Sequence, residues 1–246
     1  MMDSRNYTEI LEKVARLLKQ QKEMYGDFNP QINTNSQDVL AESEKHSKVE
    51  LSIEEQLAAC TTLDQLKSLC AQSNVLKTDL INTNLVFGVG NPNADLMLIG
   101  EAPGENEDIQ GEPFVGKAGQ LLDKIIEAIN LKRSDIYIAN ILKHRPPDNR
   151  DPKPEERQKS LPFLLKQIEL VNPKLILCVG KISGTTLLAK EQSLKEMRQK
   201  FHDFDGRELM VTYHPAALLR NQQWKRPTWE DVQKLRLRYD ELGCKP

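Results

Sequence analysis

The chain has 246 residues, of which 28% are charged and 39% are hydrophobic, and its formal net charge is −2. This length suits one medium-sized domain with an additional segment, and such a domain buries a core without disulfide or metal crosslinks. No apolar run approaches the roughly 20 residues that a membrane-spanning helix requires, so we expect no membrane span.

The predicted elements begin with an amphipathic helix at residues 7–24, where apolar side chains recur at helical spacing. The polar stretch that follows has few apolar side chains and is typical of a flexible linker. We therefore divide the chain into an N-terminal helix (1–25), a linker (26–51) and a main domain (52–246). The first helix is interpreted as a loosely docked terminal helix, and the alternative is an element that binds an unknown protein.

The main domain opens with a helical stretch from Ser52 to Ser73 and then alternates strands with helices. Apolar runs predict four strands, at 95–100, 135–141, 174–180 and 208–212, with a turn at Asp205-Gly206 before the last. Helices are predicted at 119–130, 154–171 and 228–243. This order predicts an α/β fold, a three-layer α/β/α sandwich around a four-stranded, mainly parallel sheet.

The two halves of the chain differ in charge. Residues 1–130 contain 11 Lys and Arg against 21 Asp and Glu, whereas residues 131–246 contain 23 against 15. The C-terminal half therefore carries the positive field expected of a protein that binds a phosphate backbone. The alternative is a soluble enzyme whose basic half has no nucleic-acid partner.

Polar loops follow three of the four predicted strands. Their sequences are GEAPGENED (100–108), KHRPPDNRD (143–151) and YHPAALLR (213–220). Ligands of parallel α/β sheets bind just outside the carboxyl ends of the strands. Ordinary connecting turns are the alternative, but the density of polar side chains beside rigid prolines favours a binding pocket.

Several side chains in these loops have the chemistry needed to act on a base in DNA. The amide of Asn140 both donates and accepts, so it can pair with an imide edge, and Phe114 can stack on a planar base. The carboxylate of Glu107 can orient a water or stabilise a cationic sugar. His214 can donate a hydrogen bond to a base that leaves as an anion. The Leu-Leu-Arg of residues 218–220 can push an apolar wedge into a duplex while the arginine holds phosphate.

Each of these residues also has a purely structural alternative. Phe114 is alternatively a core residue, and Asn140 alternatively caps the turn that follows it. His214 and Pro215 are alternatively a buried structural pair. The joint occurrence of the polar loops favours the pocket over these alternatives.

Four blocks, GEAPGENED, EPFVGKAG, NILKHRPPDNRDP and HPAALLR, resemble in order and spacing the signature blocks of family 4 uracil-DNA glycosylases. The similarity covers roughly residues 84–241. The resemblance implies a monofunctional enzyme that flips uracil out of single- or double-stranded DNA and hydrolyses its N-glycosidic bond. Such an enzyme initiates base excision repair.

The resemblance also implies roles for individual residues. Glu101, Ala102 and Glu107 line the water and the base, Phe114 stacks on the base, and Asn140 reads uracil. Asn149 lies at the pocket edge, and His214 stabilises the uracil anion. Glu107, Asn140 and His214 are thus the expected catalytic residues, and Leu218, Leu219 and Arg220 form the expected DNA-intercalating loop.

The chain departs from the family at the positions that hold a four-iron cluster. Four cysteines are typical there, but the corresponding residues are Cys70, Ser73, His144 and Ser160, so one thiol remains. The other cysteines, Cys60, Cys178 and Cys244, lack the spacing that would replace the missing ligands. We therefore expect no cofactor and no metal, and we expect Val75, Leu76 and Leu80 to supply apolar packing instead.

Two further roles of His144 are disfavoured. A single substitute ligand would not hold such a cluster. Covalent capture of the sugar, which some relatives perform, depends on an inserted arginine-rich loop, and no insertion interrupts Lys143-His-Arg-Pro-Pro here.

Two other functions fit parts of the sequence. The first is a non-catalytic DNA-binding module that has kept the glycosylase fold, against which the intact pocket residues argue. The second is a nucleotide-binding protein of Rossmann type. The glycines at 88 and 90 precede the first strand and lack a third partner, so they are not the dinucleotide fingerprint. Because no secretion or transit signal is recognised, we expect a cytoplasmic protein. We also expect it to be a monomer.

Overall fold

The structure is a computed structural model and describes residues 51–245. The predicted N-terminal helix (1–25) and all of the predicted linker except Leu51 lie outside the described residues. From Leu57 onward the described chain forms one compact unit. No helix between residues 51 and 245 is long and apolar enough to cross a bilayer.

The centre of this unit is a six-stranded sheet with the order β1-β3-β2-β4-β6-β5. Its strands are β1 (Val89–Gly90), β2 (Leu96–Gly100), β3 (Tyr137–Asn140), β4 (Leu175–Val179), β5 (His202–Phe204) and β6 (Arg207–Thr212). The four inner strands are the predicted ones, and each pairs in parallel with its inner neighbours. The expected count of four is corrected to six, because two short antiparallel strands, β1 and β5, flank the inner four.

The described residues contain nine α-helices. They are α1 (Ile53–Ala59), α2 (Leu63–Gln72), α3 (Glu105–Gln110), α4 (Lys117–Glu127), α5 (Pro154–Val171), α6 (Lys181–Leu188), α7 (Leu194–Met197), α8 (Pro215–Arg220) and α9 (Lys225–Glu241). Helix α5 has its predicted bounds. Helix α9 begins at Lys225 instead of Thr228, whose hydroxyl lies in the first turn and donates to the Trp224 carbonyl.

The helix predicted over Ser52–Ser73 is two helices, because Thr62 starts a new one. The Thr62 hydroxyl accepts from the Gln65 amide N–H at 3.2 Å, while the Gln65 side chain accepts from the Thr62 amide at 3.3 Å. This reciprocal capping box satisfies backbone donors at the start of α2.

Apolar side chains fill both faces of the inner strands. In β2, Met97 and Ile99 belong to the core cluster that includes residues of α5 and α6. Leu96 and Leu98 point the other way, into the cluster formed with α4 and α9. Burial on both faces is the property that makes parallel strands read as continuous apolar runs.

This arrangement brings the carboxyl ends of four parallel strands to one edge of the sheet. Residues Gly100 and Asn140 are paired there across β2 and β3, and Val179 and Thr212 are paired across β4 and β6. The predicted Asp205-Gly206 turn is present and joins β5 to β6 at the opposite edge. The polar loops therefore meet at one edge, as the sequence predicts.

Candidate active site

The loop after β2 is organised by the carboxylate of Glu107. One of its oxygens accepts from the backbone amides of Val115 and Gly116, each at 3.0 Å, and the other accepts from the amide of Gly104 at 3.1 Å. The carboxylate thereby ties α3 to the segment that leads into α4. Two oxygens offer about four lone pairs, so these three bonds leave capacity for one more donor.

Phe114 lies on this tied segment in a left-handed backbone conformation, with φ of 55°. Such a conformation is uncommon for a bulky residue and persists only when its surroundings enforce it. Arg133 donates to the Phe114 carbonyl at 3.0 Å and to the Pro113 carbonyl, while Glu107 holds the next residue, Val115. The ring is consequently fixed and almost fully buried.

Asn140 ends β3 with its side chain buried beside the Phe114 ring. A β-carbon added to Gly100 would overlap the Asn140 Oδ1 and lie 2.6 Å from Phe114 Cζ, so a glycine is required between them. Among residues 51–245, the buried Oδ1 has no hydrogen-bond partner. An unmatched buried acceptor costs free energy, on the order of 1–3 kcal/mol, which a ligand donor would recover.

His214 follows β6 and caps helix α8. Its Nδ1 accepts from the Ala216 amide N–H at 3.1 Å, so the proton of the neutral ring is on Nε2. Burial and, secondarily, the positive charge of Arg220 lower the pKa of His214 to about 4, against the opposing effect of Glu107. At neutral pH the ring is therefore uncharged and offers an Nε2–H donor.

The rings of His214 and Phe114 stack with 5.5 Å between centroids and 29° between planes. Gly180, which follows β4, lies close to the His214 side chain: an added β-carbon would lie 3.4 Å from the His214 Cβ. The structure thus brings Glu107, Phe114, Asn140 and His214 together at one edge of the sheet.

Glu101 and Ala102 follow β2 and are partly buried. Burial and then the negative charge of Asp151 raise the pKa of Glu101 to about 7, while Arg157 opposes the shift. Ala102 packs against the core cluster that includes α5. Glu101 is thus a carboxyl group that changes its charge near neutral pH.

Asn149 is exposed in the loop after β3, again with a positive φ, of 53°. Its Oδ1 accepts from Arg145 Nε at 2.8 Å, and Arg145 Nη1 lies 3.8 Å from Glu105 on α3. Asn149 is therefore connected through Arg145 to the loop after β2, and within residues 51–245 it forms no hydrogen bond with Asn140 or His214.

The predicted wedge divides into a buried and an exposed part. Leu218 is 1% exposed and packs inside the protein, whereas Leu219 is 44% exposed. Arg220 is exposed at the end of α8. Of the three residues predicted to form the wedge, Leu219 and Arg220 are therefore exposed and Leu218 is not.

The four positions that correspond to cluster ligands are buried and do not form a metal site. Ser160 donates to the Ile141 carbonyl at 2.7 Å, and His144 Nδ1 is 3.0 Å from the Thr83 hydroxyl. Burial raises the pKa of the Cys70 thiol to about 11. No group of three or more His, Cys, Asp or Glu residues suited to a metal occurs between residues 51 and 245, and the four cysteines are not clustered. These residues do not fit an iron–sulfur cluster, which needs thiolate at each iron.

Sequence reasoning missed Lys143 as a support of the site. Its ammonium is fully buried and donates to the Asn140 carbonyl at 3.0 Å, the Phe87 carbonyl at 3.3 Å and Gln167 Oε1 at 2.6 Å. Burial lowers the pKa of Lys143 to about 8. The position of Lys143 could have indicated its burial, because it directly follows the apolar residues 141–142 after a buried strand.

The chain is similar in sequence to known proteins. The model of the uracil DNA glycosylase superfamily matches residues 87–235. The type-4 uracil-DNA glycosylase of Archaeoglobus fulgidus is 38% identical over 174 residues, which is 68% of this chain and 86% of the relative. That of Saccharolobus solfataricus is 43% identical over 66% of this chain and 78% of the relative. That of Sulfurisphaera tokodaii is 39% identical over 75% and 86%.

Proposed function

The chain belongs to the uracil DNA glycosylase superfamily, and we propose that it excises uracil from DNA as a monofunctional type-4 enzyme, initiating base excision repair. The observation that carries the proposal is the buried, unpartnered Oδ1 of Asn140 beside a fixed aromatic ring. Uracil presents an N3–H donor next to a carbonyl, and an amide side chain matches both. Cytosine lacks the N3–H, so an amide that keeps its oxygen toward N3 leaves that oxygen unpaired with cytosine and selects uracil.

In the proposed complex the flipped base lies against the Phe114 ring and meets the His214 ring at its edge. The glycosidic C1′–N1 bond breaks with its electron pair moving to the base, which leaves as a uracil anion. The Nε2–H of neutral His214 donates to the developing negative charge on the base. A neutral donor that is already in place needs no reorganisation in the transition state.

Water then bonds to C1′ and loses a proton, which leaves an abasic site. Glu101 and Glu107 are the carboxyl groups proposed to orient this water and to stabilise the cationic sugar. Glu107 already holds three amides of the loop, so its proposed role includes keeping Phe114 in position. The pKa of Glu101, at about 7, allows it to accept a proton near neutral pH.

DNA engagement is proposed for the exposed end of α8 and the edge of the pocket. Leu219 would fill the space that the flipped nucleotide leaves, and Arg220 would hold a phosphate. The exposed Asn149 would contact the strand at the pocket edge, and Ala102 would line the base site. The excess of Lys and Arg in the C-terminal half supports association with DNA, either single- or double-stranded.

We propose hydrolysis without strand cleavage. An amine that forms an imine with the sugar must be free to attack it. Lys143, which contacts the site through the Asn140 carbonyl, is not free to do so, because it is buried and donates to three acceptors.

The proposal also includes catalysis without an iron–sulfur cluster. Only Cys70 remains of the four expected ligands, and the hydroxyl of Ser160 and the ring of His144 have protein partners. Anaerobic purification followed by iron analysis tests this part. We expect iron far below one atom per chain and no absorbance near 400 nm, whereas near-stoichiometric iron would contradict it.

We also propose a domain organisation, an oligomeric state and a location for the chain. The glycosylase domain spans residues 52–246, has the three-layer α/β/α architecture and acts as a monomer in the cytoplasm. For residues 1–25, which lie outside the described residues, the proposal from the sequence is a helix that a second protein can bind, followed by a linker at 26–51.

Uracil release from a labelled oligonucleotide tests the function directly. The protein should convert a deoxyuridine strand to an abasic strand that breaks only after alkali, and a matched thymidine strand should stay intact. Binding to DNA without any uracil release would favour the non-catalytic module instead.

A further inference from the structure

Two aromatic rings, one directly before His214 and one ten residues after it, stack on each other. Tyr213 and Trp224 stack with 5.0 Å between centroids and 8° between planes. On the other side of Tyr213, the Arg198 guanidinium lies 4.4 Å from the ring centroid and is held by Asp231 at 2.7 Å. Arg198, Tyr213 and Trp224 therefore form a three-layer stack with Trp224 outermost.

Trp224 remains partly exposed although Tyr213 covers one of its faces. The residue is 36% exposed, and Trp229 on α9 is 41% exposed. The position of Trp224 is fixed relative to the pocket, because its stacking partner immediately precedes His214 in the chain. An exposed, flat, fixed aromatic surface beside a base-flipping pocket is suited to receive a second base.

The charge around Trp224 is positive. From Tyr213 to Trp229 the chain contains Arg220, Lys225 and Arg226 and no acidic residue. Arg226 is 90% exposed and pairs only loosely with Glu230, at 3.4 Å. Within residues 51–245, neither Arg220 nor Lys225 forms an ion pair. Cations beside an aromatic face are the combination that binds single strands without sequence preference.

We propose that Trp224 is a stacking platform for a nucleotide base next to the flipped uridine, with Lys225 and Arg226 on the adjoining phosphates. This inference rests on the proposed function. The platform serves single-stranded substrate in particular. In a duplex the neighbouring bases stay stacked within the helix, whereas in a single strand they are free to stack on an exposed ring.

The chain offers a matched pair of fluorescence variants, because it contains two tryptophans. In Trp229→Phe the only tryptophan is Trp224, and in Trp224→Phe it is Trp229. A uracil-free single-stranded oligonucleotide should strongly quench the emission of the first variant and leave that of the second nearly unchanged. Equal quenching of both, or none in the first, overturns the platform, and this readout is independent of uracil excision.

Kinetics test the preference for single strands. Trp224→Ala should raise KM for a single-stranded uracil substrate about tenfold or more and change that for a duplex less than about twofold. Trp224→Tyr should restore most of the loss, since it keeps a flat ring. Equal losses on both substrates, or a fall in kcat alone, would identify Trp224 as a purely structural clamp of the His214 segment and overturn the proposal.

The cations have a matched control. The double variant Lys225→Ala and Arg226→Ala should make the slope of log binding constant against log salt concentration for a single strand less steep. The change should match the loss of about two phosphate contacts, because each contact releases counterions. Lys190 is exposed just beyond the end of α6, which runs from the site edge to the opposite edge. Lys190→Ala should leave the slope unchanged. An unchanged slope in the double variant contradicts the placement of phosphates at 225 and 226.

Discussion

Phe114 and His214 support each other: their rings stack with 5.5 Å between centroids, and each is fixed from outside the pair. Glu107 and Arg133 hold the backbone around Phe114, and the Ala216 amide holds the imidazole. The separation leaves no room for a base between the rings. In the proposed complex the base therefore stacks on Phe114 while His214 meets its edge.

Replacing His214 should remove a donor that acts mainly in the transition state. We expect His214→Ala to lower the single-turnover rate of uracil release about 100- to 1000-fold, with DNA affinity nearly unchanged. His202→Ala, at the far edge strand β5, is the matched control and should retain the rate. A rate unchanged in His214→Ala would remove this residue from the mechanism.

The protonation state of His214 should depend on pH in a way that can be measured. Its folded pKa, about 4, lies below the ordinary value of 6.5, so the unfolded state binds more protons between these values. The contribution of His214 to stability is thus present above pH 6.5 and is lost as pH falls toward 4. Nitrogen NMR of the labelled protein should show a neutral ring protonated on Nε2 at pH 6. A charged ring at pH 6 would contradict the structure.

Asn140→Leu should separate stability from activity. The Oδ1 that it removes has no partner among the described residues, so no hydrogen bond of that atom is lost on substitution. We expect a melting temperature equal to or above that of the wild type, together with loss of uracil release by at least about 100-fold. Thermal unfolding and single-turnover assays on the same preparation check both. A clear fall in melting temperature would show that Oδ1 has a partner in the free protein.

Gly100→Ala should displace side chains that line the pocket. The added methyl group would overlap Asn140 Oδ1 and press on Phe114, so both side chains must move. We expect uracil release to fall about tenfold or more, with a destabilisation of about 1–3 kcal/mol. Gly206→Ala is a useful comparison, because φ of 74° strains it while nothing lies within 4 Å of the added atom. It should lose stability and keep activity, and a fully active Gly100→Ala protein would refute the packing described here.

Glu101→Gln should change how stability depends on pH. The folded pKa of Glu101, about 7, lies above its ordinary 4.5, so its contribution to stability is present below pH 4.5 and is lost as pH rises to 7. Glutamine does not titrate, and His214 is common to both proteins. The variant should therefore gain stability over the wild type between pH 5 and 8, by at most about 3 kcal/mol. Denaturant unfolding at both pH values measures this, and a constant difference would contradict the raised pKa.

Much of the fold was predictable, because strands buried on both faces appear in the sequence as continuous apolar runs. The four inner strands are apolar runs, and Pro154 marks the start of α5. The edge strands β1 and β5 could not be predicted, since two or three residues show no periodicity. Helices α3 and α8 could not be predicted for a similar reason, because each has six residues within a polar loop, which is less than two turns.

The site was predictable as a set of residue types but not as an arrangement. Sequence reasoning placed Leu218 and Leu219 together in one wedge, yet a helical turn at α8 buries the first and exposes the second. The left-handed backbone at Phe114 depends on Arg133, which is distant in the chain and belongs to no motif. The contacts of the Lys143 ammonium with the Phe87 carbonyl and Gln167 likewise arise only from the tertiary fold.

The exposed Asp205-Gly206 turn lies at the edge of the sheet opposite the pocket. Both residues have positive φ, 53° and 74°, and no side chain packs over the glycine. Because insertions are best tolerated at exposed tips of tight connections, this hairpin is a place to attach a dye or splice in a peptide tag. A label there would report on rotation or sliding of the protein along DNA without touching the bases that it reads.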